Sequence, residues 1–133
     1  MTAGYSGTPL VRKLGVRAGD RLVLLDAPDG WTVPDLPRDV VVADRGAGEA
    51  QVVLAFFRDR ATLLARAAAV AAELRHGAML WVAWPRRAGG HTSDIAENDL
   101  RAVLLPVGLV DVKVAALDED WSGLKFVWRR AHI

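Results

Sequence analysis

The sequence predicts an α/β fold: a three-layer sandwich around a mostly parallel sheet of about six strands, completed by an antiparallel C-terminal hairpin. Three observations point there. Short, continuously apolar runs such as Arg21-Leu22-Val23-Leu24-Leu25 and Gln51-Val52-Val53-Leu54-Ala55-Phe56-Phe57 read as strands buried on both faces, the habit of parallel sheets. Helical patterns separate the later runs, which gives parallel neighbours room to cross over. The last two runs are divided only by Asp118 to Gly123, a turn that suits an antiparallel return.

The elements follow in order. Thr8-Pro9-Leu10-Val11-Arg12-Lys13-Leu14-Gly15 reads as a short helix, with Thr8 as its cap, Pro9 in its first turn and Gly15 as its stop. Leu10, Val11 and Leu14 share the face that packs on the sheet. Arg21 to Leu25 is the first strand. Pro28, Pro34 and Pro37 then argue against a helix before the short second strand, Val40-Val41-Val42. Gln51 to Phe57 is the third strand. Asp59 caps a long helix to about Arg75, with Leu63, Leu64, Ala67, Val70, Ala71 and Leu74 as its apolar stripe. Ala78 to Trp84 is the fourth and most hydrophobic strand, stopped by Pro85. A basic loop, Arg86 to Thr92, leads to a helix that Thr92 or Ser93 caps, with Asp94 and Glu97 in its first turn. That helix ends at Pro106 or Gly108. Leu109 to Leu117 is a strand near a sheet edge, and Leu124 to Arg129 returns as its partner.

Bulk properties bound the function. At 133 residues the chain makes one domain, 1–133, in which residues 1–7 are expected to be flexible. A formal net charge of +1 gives no footprint for nucleic acid. With no cysteine, disulfides, thiolate metal sites and cysteine nucleophiles are excluded. The start has no basic stretch followed by an apolar core, and no apolar run is long enough for a membrane, so the expectation is a cytoplasmic protein with no membrane partner. No Walker-type phosphate loop and no Gly-x-Ser-x-Gly elbow occurs, and no pair of histidines has metal-ligand spacing; no cofactor and no metal is expected.

Longer strings carry a resemblance. Leu74-Arg75-His76-Gly77-Ala78-Met79-Leu80-Trp81-Val82 looks like the helix, glycine, strand step found late in class I methyltransferases. Gly108 to Val114, followed by a turn and a last strand, looks like their terminal hairpin, and Arg17 to Leu25 like their first strand. The outline is truncated: Asp26-Ala27-Pro28-Asp29-Gly30 replaces the glycine-rich cofactor loop, and one strand–helix unit is missing before Gln51. Gly4-Tyr5-Ser6-Gly7-Thr8-Pro9-Leu10, Leu80 to Arg87, Gly108 to Val114 and Trp121 to Phe126 together resemble the bacterial domain of unknown function 3052 family. That resemblance implies a small cytoplasmic α/β protein, while the Rossmann-like, methyltransferase-like sheet is what the truncated methyltransferase outline implies. It implies no catalytic residues.

With the methyltransferase-like strand order, the last strand lies between the Trp84 and Val112 strands and starts where they end. Trp84, Arg86, Arg87, Trp121, Ser122 and Lys125 then meet beyond the carboxyl ends of the strands, where open α/β sheets bind ligands. The cations and hydroxyl suit a phosphate or carboxylate, and the tryptophans offer stacking or cation–π contacts. The alternative is structural: solvated Arg86 and Arg87, a core Trp84, and Lys125 paired with Asp118 or Glu119.

Secondary candidates are Asp26 and Asp44, which follow strands, with Asp44 placed where an acid can hold a ribose. His91 is placed for proton transfer, and Ser93 lies at a helix start. His76 is read as a helix C-terminal dipole partner, His132 as terminal, and Tyr5-Ser6-Gly7-Thr8 as a lid, a backbone nest or only a frayed cap.

The expectation is a non-enzymatic binding or regulatory module for an anionic small molecule or an acidic protein segment. The alternatives are a reduced S-adenosylmethionine-dependent methyltransferase and an interaction protein that forms a homodimer through exposed tryptophans and a short edge strand.

Overall fold

The computed structural model describes residues 7–130. A six-stranded sheet runs in the order β2-β1-β3-β4-β6-β5. Its strands are β1 (Arg21–Leu25), β2 (Val41–Ala43), β3 (Val52–Phe56), β4 (Met79–Pro85), β5 (Leu109–Ala116) and β6 (Trp121–Trp128). The first four pair in parallel; β6 is antiparallel to both its neighbours, β4 and β5. Helices α2 (Arg60–Glu73) and α3 (Glu97–Leu104) pack on one face. Helix α1 (Leu10–Leu14) and the irregular stretch 27–40 pack on the other, giving three layers. Among the described residues no helix is long and apolar enough to cross a membrane.

The period-two alternation of β4 divides the core. Leu80, Val82 and Trp84 join Leu63, Ala67, Leu100 and Leu104 beneath α2 and α3. Trp81 and Ala83 point the other way and meet Leu10, Leu14, Phe56 and Trp121. The indole N–H of Trp81 donates to the Leu14 carbonyl at 3.2 Å, which satisfies a buried donor and ties the end of α1 to the middle of the sheet. Gly15, at φ 82, then stops α1.

Helix α2 starts as its sequence requires: the Asp59 carboxylate accepts the Thr62 N–H at 2.8 Å. That backbone hydrogen bond holds the Asp59 carboxyl below its ordinary value. The other predicted caps are corrected. Pro9, not Thr8, occupies the N-cap of α1. Helix α3 starts later than expected, with Ala96 at its N-cap and the Ala96 N–H donating to Asp99 at 2.9 Å. Ser93 instead closes a small turn by accepting from the Ile95 N–H, and Asp94 accepts the first N–H of α2, from Arg60. Both residues therefore brace the loop before α3 rather than its first turn.

Three further expectations change. Leu64 is 46% exposed, because the buried stripe of α2 runs through Leu63, Ala67 and Ala71 one position away. Strand β6 begins at Trp121, so Trp121-Ser122-Gly123 belongs to the sheet and not to the turn; Pro85 itself pairs with Trp121. A Cβ at Gly123 would stand 3.0 Å from Leu117, and this close approach explains a glycine inside a strand. His76 lies beyond the last turn of α2, which ends at Glu73, and stacks on Trp128 at 5.3 Å. Tyr5, Ser6 and His132 lie outside the described residues.

Candidate functional site

The carboxyl ends of β4 and β5 and the start of β6 come together at one corner of the sheet. Arg86 leaves β4 there and is only 5% exposed. Its N–H donates to the Asp120 carbonyl at 2.9 Å and its guanidinium to the Glu119 carbonyl at 3.4 Å. Gly89 lies against the same Glu119 carbonyl, so closely that no side chain fits. His91 Nε2 stands 2.8 Å from Asp120 Oδ1. The basic loop is thereby latched onto the β5–β6 turn, and that latch aims Arg86 inward.

Helix α1 brings the second cation. Leu10, Lys13 and Leu14 all face the sheet, as their i, i+3, i+4 spacing dictates. Lys13 is 7% exposed, and its ammonium donates to the Ala116 carbonyl at 2.6 Å. From β5, Lys113 places its ammonium 5.9 Å from the centre of the Trp81 ring, within cation–π reach. Arg12, Lys13, Arg86 and Lys113, with Thr8 and Ser122, line a cleft of about 600 Å³, and among the described residues none that lines it is acidic.

The charges in this corner act on one another. Burial is the main cause that lowers the Lys13 pKa; the positive charge of Arg86 adds to it, Asp118 opposes it, and Lys113 adds a little more. Lys125, directly across from Lys113, is also lowered, first by burial and then by Lys113. An anion in the cleft would relieve this repulsion, and hydroxyls beside cations are the donors a phosphate or carboxylate uses.

A second hollow, of about 370 Å³, opens on the α3 side of the same corner. Arg86, Val114 and Ser122 line both and form the rim between them. Trp84, Ala88 and Ile95 give the second hollow its apolar lining.

The sequence-derived residues divide around this geometry. Arg86 and Ser122 share the cationic cleft. Trp84 and Arg87 lie on the α3 side, where exposed Arg87 donates to the Ser93 carbonyl at 3.3 Å. Trp121 belongs to the opposite face from Trp84, because it pairs with Pro85 while Ser122 pairs with Trp84; the two indoles share no crevice. Both are buried, and Trp121 packs edge-on against Phe56 at 4.9 Å with Arg58 over its ring at 5.4 Å. Lys125 pairs with Trp81, well down the strand from Ser122, and borders the cleft through Lys113 without lining it. Arg12, Lys13 and Lys113 were not singled out from the sequence. A lysine on the apolar face of α1 was the signal that could have found the site.

Asp26 and Asp44 meet at the other end of the carboxyl edge, in a pocket of about 620 Å³. Asp26 has φ 58, a left-handed conformation that aspartate tolerates better than most residues. Its carboxylate pairs with Arg66 at 3.2 Å and its carbonyl accepts from Arg58 at 2.7 Å. Asp44 pairs with its neighbour Arg45 at 3.4 Å. Among the described residues no three histidine, aspartate or glutamate side chains are grouped to hold a metal ion. No protein-family model matches the chain, and no curated protein is significantly similar to it.

Proposed function

We propose that the chain is a non-enzymatic binding or regulatory module that holds an anion in the cleft between α1, Arg86 and β5. The observation that carries this reading is the pooling of Arg12, Lys13, Arg86 and Lys113 around one cleft that no acidic side chain lines among the described residues. The depressed Lys13 and Lys125 support it, since a cluster that disfavours its own charge gains most from a bound anion. An acidic protein segment presents the same carboxylate chemistry as a small anion. The resemblance to the domain of unknown function 3052 family fits a small α/β module of this kind and adds no activity of its own.

A thermal-shift screen of purified protein tests it, using inorganic phosphate, sugar phosphates, nucleotides, S-adenosylmethionine and S-adenosylhomocysteine. A ligand at 100 times its Kd stabilises the fold by about 2.7 kcal/mol. Phosphorylated compounds are expected to raise the midpoint. Arg86→Ala is expected to lose that rise, while Asp26→Ala and Asp44→Ala keep it. No shift with any anion would sink the reading.

One observation favours a second reading, a reduced methyltransferase. The order β2-β1-β3-β4-β6-β5, with an antiparallel strand between the last two, has the outline of that fold less one strand. Against it, Ala27 and Pro28 follow β1 where backbone must approach the cofactor, and no helix lies between β1 and β2. A shift with S-adenosylmethionine alone, lost in variants of residues 26–30, would put this reading first.

A further inference from the structure

The anion-binding reading concerns only one of the two hollows at this corner. The second hollow differs in character: Trp84, Ala88, Ile95 and Val114 give it an apolar floor and wall. Trp84 is 8% and Ile95 2% exposed, so both are core residues that show only an edge to it. Val114 is 50% exposed on the edge strand and stands in the shared rim. Arg86 and Ser122 are in that rim as well, so a group they bind is within reach of both sides. The Glu97 carboxylate at the far wall is paired with Arg101 at 3.3 Å, which offsets its charge.

We propose, building on the anion-binding reading, that the ligand is a small amphiphilic phosphate ester. Its phosphate lies among Lys13, Arg86 and Lys113, and its short alkyl or single-ring group crosses the Arg86–Ser122–Val114 rim onto Trp84, Ala88 and Ile95. A free inorganic ion would leave the apolar hollow unused, and a long lipid chain would exceed its roughly 370 Å³.

Isothermal titration calorimetry of the wild-type chain with inorganic phosphate, methyl phosphate, butyl phosphate and phenyl phosphate tests this. Each methylene that leaves water tightens Kd about fourfold when fully buried, so the three extra methylenes of butyl phosphate set a ceiling of about sixtyfold over methyl phosphate, and with partial burial about tenfold is expected. Ala88→Gln, which fills the hollow with a polar group, is expected to bring the butyl and methyl values together. Lys13→Met is expected to weaken all four compounds. Equal affinity for all four in the wild type would overturn the amphiphilic ligand and leave the anion site standing. Failure of all four, phosphate included, would overturn both. Binding confined to vesicles of phosphatidic acid, with none of the soluble esters, would also overturn it.

Discussion

On one face of the sheet, α2 and α3 lay apolar stripes over Leu80, Val82 and Trp84. On the other, a five-residue helix and a proline-rich stretch cover Trp81 and Ala83. The first cover is long enough to close over its core with aliphatic side chains alone. The second is not. A helix of five residues has no stability of its own and exists because it is packed. Its buried face carries Lys13 between Leu10 and Leu14, and the space beside that lysine is the cationic cleft. The contrast teaches that the chemistry of this molecule collects where the covering layer is thin.

The largest test of the contrast is in the core. Leu100 and Leu14 are both fully buried, one on each face. Leu100→Ala is expected to cost about 2–5 kcal/mol, and Leu14→Ala to fall at the low end of that range, because an irregular cover can settle into the space better than a helix can. Urea denaturation of both variants measures this. Equal and large losses would mean the thin cover is as rigid as the thick one.

A pH titration of stability sharpens the electrostatic half. Lys13 and Lys125 hold their protons less tightly folded than unfolded. The penalty is therefore fully present below their lowered folded values and fades as pH rises toward the unfolded 10.5. Stability of the ligand-free chain is expected to gain from these two groups across that window. The extra stability from phosphate is expected to run the opposite way and shrink as the lysines lose charge. Denaturation curves with and without phosphate between neutral pH and 10.5 check both slopes. A phosphate effect that stays flat would remove Lys13 from the site.

The smallest effect is a control on the helical face. Leu64→Gln is expected to change stability by less than about 0.5 kcal/mol, since the side chain already stands in solvent. A loss comparable to that of Leu100→Ala would return Leu64 to the core stripe.

Much of the fold was legible in the sequence because its signals are local. Continuous apolar runs marked β1, β3 and β4, Asp59 marked the start of α2, and the Asp118 turn marked the hairpin. Misreadings arose where a distant partner decides. Trp121-Ser122-Gly123 has the composition of a turn, yet pairing with Ala83-Trp84-Pro85 draws it into β6. Thr92 and Ser93 resemble a cap, yet the docking of the preceding loop on the β5–β6 turn delays α3 to Glu97. The candidate site was half legible for the same reason. Arg86 and Ser122 follow from strand order, whereas Lys13 and Lys113 reach the corner only through the packing of α1 and the facing direction of β5.

The insertion of β6 between β4 and β5 also has a consequence for synthesis. When a ribosome has released the chain only as far as β5, the edge of β4 has no neighbour on that side, since its partner there is β6. That edge belongs to Leu80-Trp81-Val82-Ala83-Trp84, the most apolar strand, and an open apolar edge invites pairing with other chains. The nascent protein must therefore carry an unsealed sheet until Trp128 emerges. Chains cut short after Ala116 are expected to be lost to aggregation or to depend on a holding chaperone.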